Sequence, residues 1–513
     1  MTVQTPAPTS AVHVARGTSY FIIQNLTTIV AQIVSFAILA RLITPKEMGL
    51  LAVFTLVSGA CLVIGTISLQ QAATKFVAEN LSRSRRSAAA SVFYQATRTT
   101  LLLSALLGAT VFLSSTALSI RLLGAGSYTT YFQVLAVDIV LNSGLIPVLS
   151  STVLGLQKFK EAAGVGIFGT LMRQSLIILF ILLLQSFLGL VVAWVVSDLA
   201  VASVYIAYLL KYFGPPRFDF PLMKLIDYSW PLAASNGVSF VYSSFDYVVL
   251  LFLAPLATLG VYNATLLAFS ALGGISNAIG TTLFPAYSAM QDGKQRGGSS
   301  DAVRLASRYV YLIVIPLALG LSATAKPALT LFVGQAYVAG SDPLMILSGT
   351  LAITAIGIAL SPMLLALAET RVASAITTGS VILSLTTAIL LVPPWGMLGA
   401  SVARGLGMIA TTTLTILFLR RKLRLNLDLV TMFKILVAGL IMAAVVVAVQ
   451  IPLYSARLLP LYIVIGGVVY LTALRVLKAV KQDDIDLLGK YFGHKLRFAT
   501  GILRWILLPK AKS

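Results

Sequence analysis

Charge is scarce in this chain of 513 residues: Asp, Glu, Lys and Arg together make up 10% of it, and 16 acids face 37 basic residues. Soluble domains carry roughly 25% charged residues, so an ordinary water-facing surface is excluded over most of the length. The single cysteine, Cys61, lies inside an apolar run and excludes an intramolecular disulfide or a thiolate cluster. Only two histidines are present, His13 and His494, both near the termini, and no metal site is expected from them. No G-x-x-x-x-G-K-[ST] loop occurs, which removes the phosphate cradle of direct ATP hydrolysis. No connection between apolar runs exceeds roughly 30 residues, which leaves no room for a soluble catalytic domain. No cofactor is expected.

What the chain has is apolar length. Apolar residues make up 58%, and about 20 in succession cross some 30 Å of hydrocarbon as a helix. About fourteen such spans can be counted, so the expected fold is an all-α polytopic membrane protein. The expected organisation is a cytoplasmic tail over 1–16, six spans over 17–210, a cytoplasmic linker over 211–227, six more spans over 228–419, two carboxy-terminal spans over 430–477, and a basic amphipathic tail over 478–513. The second span is expected near 50–71 and the tenth near 343–367. Residues 1–16 lack a short apolar core with a small-residue cleavage site, so the first span reads as an uncleaved signal anchor.

The basic residues orient the spans, because cytoplasmic loops near span ends are enriched in Lys and Arg. With the amino terminus inside, about 30 fall inside, five outside (Arg41, Lys46, Arg121, Lys326 and Arg457) and two within spans (Arg173 and Arg404). Both termini are therefore expected in the cytoplasm, at the plasma membrane. The net charge of +21 then follows from topology and the anionic inner leaflet, and calls for no nucleic acid.

The second half repeats the first at an offset of about 210 residues. Leu149-Ser150-Ser151-Thr152-Val153-Leu154-Gly155-Leu156-Gln157-Lys158 aligns with Leu360-Ser361-Pro362-Met363-Leu364-Leu365-Ala366-Leu367-Ala368-Glu369. Pro45 and Gly49 align with Pro255 and Gly260, and Gly189 and Ala193 with Gly396 and Ala400. Six spans separate each pair, an even number, so the two six-helix repeats are expected to be parallel, as in many transporters.

Four segments resemble the polysaccharide flippases of the multidrug/oligosaccharidyl-lipid/polysaccharide exporter superfamily. They are Ala40-Arg41-Leu42-Ile43-Thr44-Pro45-Lys46-Glu47-Met48-Gly49, Asp246 with Tyr247-Val248-Val249-Leu250, Gly260-Val261-Tyr262, and Gly396-Met397-Leu398-Gly399-Ala400. The resemblance implies two six-helix lobes around a central cavity, two further helices, and alternating access by rocking of the lobes. It also implies a cargo, a polyprenyl-linked oligosaccharide carried from the inner to the outer leaflet. Enzymes of glycan assembly would then be partners.

Ionised groups inside a membrane are costly and need a partner, a wet cavity or a function. Five stand out: Asp138, Arg173, Asp198, Asp246 and Arg404. Arg173 and Asp198 lie at nearly equal distances from the turn near Phe187, so at about 1.5 Å per residue they reach the same depth and are placed to pair across one hairpin. That pair is either a lock between two helices or a cavity-lining pair that opens during transport. Asp246 matches an acidic position of the family, with Tyr247 where a basic residue often follows, and a salt bridge to Arg404 is an expectation. Asp138 has no evident partner.

A carrier of diphosphates calls for cationic donors. The candidates at the cytoplasmic mouth are Lys75, Arg83, Arg85, Arg86 and Arg98, where positive-inside bias alone would also place basic residues. Lipid II flippases of the superfamily carry arginines in the first span. Residues 17–40 here hold none, only Gln24, Asn25 and Gln32 as larger polar groups, which argues for a different sugar-lipid. These amides can share a helix face, to bind sugar hydroxyls or to pack helices.

Prolines 231, 255, 285, 316 and 362 cluster around spans seven to ten and suit bendable helices. The tail near 483–508 reads as interfacial amphipathic helix, and Asp484-Ile485-Asp486 as a helix start, where Asp favours the dipole, in place of a metal-binding D-x-D. Two other functions remain open. A cation-coupled multidrug antiporter of the same superfamily is kept alive by Asp138 and Asp246. A membrane-embedded glycan polymerase or ligase would need a substantial outer loop, and the longest here holds only Lys326 and Asp342 as charged groups.

Overall fold

The computed structural model describes residues 8–292, 298–423 and 427–480. The amphipathic tail over 483–508, with Asp484, Asp486 and His494, lies outside the described residues. Every regular element among those described is helical. In chain order they are α1 (Pro8–Leu42), α2 (Pro45–Thr66), α3 (Leu69–Ser82), α4 (Arg86–Leu113), α5 (Ser115–Leu123), α6 (Thr129–Val140), α7 (Ile146–Gly155), α8 (Phe159–Leu184), α9 (Leu188–Phe213) and α10 (Leu222–Leu253). There follow α11 (Leu256–Asp292), α12 (Gly298–Ala323), α13 (Ala325–Phe332), α14 (Ser341–Thr354), α15 (Ile356–Ala366), α16 (Thr370–Trp395), α17 (Met397–Lys422), α18 (Leu429–Gln450) and α19 (Leu459–Val476). Fourteen spans among them are long and apolar enough to cross a membrane, as the hydropathy predicts.

Local chemistry explains where helices start and stop. The Thr44-Pro45-Lys46-Glu47 turn forms a capping box: the Glu47 amide donates to Thr44 Oγ1 at 3.3 Å, and the Thr44 amide donates to Glu47 Oε2 at 2.8 Å. With Pro45 at the first helical position this starts α2 earlier than the apolar run suggests. At the other end, Ile67 and Ser68 take positive φ of 42° and 59° and break the chain between α2 and α3, inside the run expected to continue to residue 71. The expected fourth span holds a π-helical turn, Leu141–Leu145, between α6 and α7. The expected tenth span is divided at Ala355 into α14 and α15.

The chain divides into two compact units, Met1–Tyr247 and Val248–Ser513, with α10 passing from one to the other. In the first unit α1 lies on α8, where Thr28 and Thr170 hydroxyls meet at 3.3 Å and Phe21 meets Phe159 edge-on. Its core joins α3, α4, α7 and α9 through residues such as Val77, Phe93, Val153 and Tyr205. In the second unit α12 packs on α14, α15 and α18 around Val310, Ile315, Ala359, Met363 and Ile435. Between apolar helices in lipid, close van der Waals packing holds the contacts, since the tails outside are equally apolar. Ile22, Leu26 and Ile33 are exposed along α1, as a hydrocarbon-facing surface requires.

The same succession of elements occurs twice. The series α4, α5, α6, α7, α8, α9 is matched by α12, α13, α14, α15, α16, α17, and corresponding helices begin about 210 residues apart. Backbone details recur at the same interval. Gln157 and Ala368 both adopt φ of 58°, each ending a helix with the same pair of reverse-turn hydrogen bonds, Gln157 to Leu154 O and Lys158 to Val153 O in one, Ala368 to Leu365 O and Glu369 to Leu364 O in the other. A Cβ on Gly189 would lie 2.4 Å from Phe180 O, and one on Gly399 would lie 2.2 Å from Leu391 O. Each glycine lets a returning helix touch the backbone of the helix before it. Gly189 thus finds its geometrical counterpart in Gly399, beside the Gly396 with which sequence alone aligns it.

Candidate functional site

The charged centre of the first unit is assembled from four helices. Leu184 and Leu188 bound a short turn in which Gln185 adopts φ of 46°, and this turn sets Arg173 on α8 level with Asp198 on α9. Arg173 Nη1 lies 3.3 Å from Asp198 Oδ1. The other terminal nitrogen, Nη2, lies 3.8 Å from Asp138 Oδ1 on α6, an ion pair too long for a hydrogen bond. Asp138, without a partner in sequence, therefore shares the guanidinium with Asp198. The Trp194 ring sits 4.8 Å from the guanidinium carbon, a cation–π arrangement that helps to hold a partly desolvated arginine.

Serines complete the shell. Ser58 Oγ on α2 approaches Asp138 Oδ2 at 3.5 Å, and its carbonyl accepts from Ser143 Oγ, in the π-helical turn, at 3.2 Å. Ser197 Oγ lies 3.5 Å from Asp198 Oδ1 while donating to Trp194 O at 2.8 Å. Asp138 is fully buried and Asp198 5% exposed, whereas the Arg173 side chain is 25% exposed. Two carboxylates on one guanidinium leave an excess negative charge, which a low-dielectric site tolerates poorly. Asp138 Oδ1 and Asp198 Oδ2 also lack a hydrogen-bond donor among the described residues. The arrangement can accept one further donor, a proton or a polar ligand. Ser58 and Trp194 were not singled out from sequence, since neither is charged and nothing in their spacing ties them to Asp138 or Arg173.

The remaining candidates lie elsewhere. Asp246 on α10 is fully buried, and the Tyr247 amide donates to its Oδ1 at 3.0 Å. Asp246 belongs to the first unit and Arg404, half-buried on α17, to the second. Another buried cation, Arg308 on α12, is only 6% exposed and donates through Nη2 to Ala479 O at 3.1 Å. It escaped the reading of intramembrane charges because it stands near the start of its span, where basic residues are common.

Of the expected mouth cations, three lie on aromatic rings: Lys75 is 4.0 Å from the Tyr228 ring centre, Arg86 is 4.6 Å from Tyr212, and Arg98 is 5.4 Å from Phe218. Arg86 also donates to Tyr212 O. Arg83 pairs with Glu79 one turn away at 2.9 Å, and Arg85 is exposed at the start of α4. Gln24 packs against Gly166 of α8, while Asn25 and Gln32 are exposed on α1, so the three amides do not act as one face. No group of three His, Cys, Asp or Glu side chains able to hold a metal occurs among the described residues.

A family model described as "Polysaccharide biosynthesis protein" matches residues 38–341, more than half of the chain. The chain belongs to that family. Its fold is similar to that of the lipid II flippase MurJ in an inward closed conformation, with a TM-score of 0.72 at 14% identity over 93% of this chain and 100% of that one. It is also similar to an inward-facing multidrug resistance MATE family transporter of the MOP superfamily, with a TM-score of 0.58 at 18% identity over 78% and 94% of the two chains. A mutant of the Vibrio cholerae MATE transporter VcmN gives 0.57 at 15% identity over 81% and 97%. No curated protein matches the sequence. At these identities the structural likenesses establish the fold, and the family model supplies the tie to polysaccharide biosynthesis.

Proposed function

We propose that this chain is a flippase that carries a polyprenyl-linked oligosaccharide from the inner to the outer leaflet of the plasma membrane by alternating access, in the biosynthesis of a cell-surface polysaccharide or glycan. The observation that carries this reading is the polysaccharide-biosynthesis family match on a chain whose described residues form fourteen membrane-length apolar helices. A protein of that family without room for a soluble catalytic domain is suited to moving the glycan and poorly suited to building it. The stretch expected as the longest outer loop is taken up by α13 and a 3-10 turn, Gln335–Gly340, which further disfavours a polymerase or ligase. The two element series are read as parallel lobes, with both termini cytoplasmic and glycan-assembly enzymes acting before and after the transfer. The first span, free of arginine between residues 17 and 40, supports a cargo other than lipid II.

In this reading Arg173 is a transport residue. Its partly exposed guanidinium can exchange a carboxylate partner for a diphosphate oxygen, because phosphate offers the same bidentate geometry. Asp246, on the helix that passes between the units, is assigned to the coupling ion or to a gate. The second reading, a cation-coupled drug antiporter, draws support from the two buried carboxylates Asp138 and Asp198 and from the likeness to MATE transporters.

The deciding experiment reconstitutes the protein in liposomes and follows ATP-independent movement of a fluorescent polyprenyl-diphosphate oligosaccharide. Wild type is expected to flip it. Asp246→Asn and Arg173→Lys, each eluting as wild type, are expected to lose at least tenfold in rate. Absence of flipping together with ethidium efflux driven by a cation gradient would replace the flippase by the antiporter.

A further inference from the structure

A groove of ≈ 460 Å³ opens within the second unit, between α17 and α18, with the break between α14 and α15 at its inner end. That volume lies within the range of about 300–1,000 Å³ typical of small-ligand sites. One wall is a single face of α17: Ile409, Thr412 and Thr413, Ile416 and Arg420 follow one another at helical spacing. Ile353 and Phe433 line it from the other helices while remaining 64% and 66% exposed, so the groove is open at the side and is not a sealed core void.

Its chemistry is graded along its length. The lining is mainly apolar, Tyr311, Thr354, Thr412 and Thr413 carry hydroxyls along it, and the only charged lining residue among those described is Arg420, in the last turn of α17. The neighbouring basic groups differ in role. Lys422 is engaged by Glu369, and Arg421 does not line the groove. Arg420 is exposed and makes no ion pair among the described residues. An apolar slot open to hydrocarbon, with hydroxyls below and one available guanidinium at its mouth, matches a molecule with a hydrocarbon chain, ester oxygens and an anionic head.

We propose that this groove binds one anionic phospholipid of the cytoplasmic leaflet, with the phosphate on Arg420, an ester oxygen within reach of Thr412 or Thr413, and an acyl chain along Ile409, Ile416 and Phe433. Basic pockets between transmembrane helices on the cytoplasmic side recognise anionic head groups in this way. The choice of leaflet rests on the topology proposed above, whereas occupancy of the groove does not depend on which cargo the protein carries.

The test is native mass spectrometry of the full-length protein released from nanodiscs of equimolar phosphatidylglycerol and phosphatidylethanolamine. Wild type is expected to retain one phosphatidylglycerol in preference to phosphatidylethanolamine. Arg420→Ala should reduce that preference about fivefold, the contribution of one arginine near an anionic surface. Thr413→Trp, which fills the groove from an exposed position, should abolish retention, and Arg421→Ala should leave it unchanged. Variants are compared only as monodisperse preparations. Equal retention of the two lipids by wild type, or an Arg421→Ala effect as large as that of Arg420→Ala, would overturn the proposal. So would displacement of phospholipid by polyprenyl phosphate when both are supplied, which would assign the groove to the cargo's carrier lipid.

Discussion

At Arg173 one guanidinium answers to two carboxylates, and the energetic consequence of removing each group differs in sign of charge. Arg173→Ala leaves Asp138 and Asp198 buried and facing an uncompensated double negative charge. Breaking a buried pair from one side costs roughly 3–5 kcal/mol, and because Arg173 is a quarter exposed solvent screening reduces this to about 2–3 kcal/mol. Asp138→Asn instead removes the excess charge while keeping the shape and an acceptor for Ser58, so its effect should stay within about 1 kcal/mol. Thermal unfolding of detergent-solubilised protein should therefore show a large loss for Arg173→Ala, little change for Asp138→Asn, and a double variant better than the sum of the singles. Equal losses for the two single variants would mean that Asp138 and Asp198 do not share the arginine's charge. Half of this cluster was legible in sequence. Counting residues from a short hairpin turn gives depth, which paired Arg173 with Asp198. Asp138 stands on a helix outside that hairpin, and depth alone says nothing about which way a helix turns its side chains.

Helix ends carry a different kind of information. In the segment with the clearest sequence repeat, residues 149–158 against 360–369, the backbone repeats too, down to a left-handed residue at Gln157 and at Ala368. Both are exposed and neither is glycine. A side chain in that conformation costs about 1–2 kcal/mol, part of which glycine returns by its greater freedom in the unfolded chain. Gln157→Gly and Ala368→Gly should each stabilise by roughly 0.5–1 kcal/mol, read as a small rise in Tm in the same unfolding assay. A fall in Tm at either position would show that the side chain contributes more than the strain it carries. The break at Ile67 and Ser68 was not legible for the same physical reason in reverse. Apolar residues continue through it, so hydropathy extends the second span, while the capping box and the left-handed pair set its ends. The π-helical turn beside Asp138 was equally silent, since its residues are those of an ordinary span.

For the whole molecule, the repeat was legible because it is written in element lengths as well as residues. An offset read from three short matches recurs in the starts of six successive helices. Orientation in the membrane depends on something else, the distribution of 37 basic residues, and it decides which end of each cluster meets the cytoplasm. Two exposed positions separate the alternatives: Ser84, between α3 and α4, and Ser127, between α5 and α6. Helix α4 lies between them, so in a span-by-span topology they face opposite sides. With the buried native thiol removed by Cys61→Ala, Ser127→Cys should react with a membrane-impermeant maleimide on intact cells. Ser84→Cys should react only after permeabilisation. The reverse pattern would turn the basic loop carrying Arg83, Arg85 and Arg86 to the outside, and with it the mouth of the lipid groove at Arg420. Phosphate recognition from the cytoplasmic side would then have only Arg41, Lys46, Arg121, Lys326 and Arg457 to draw on, and the direction of transport would have to be assigned anew.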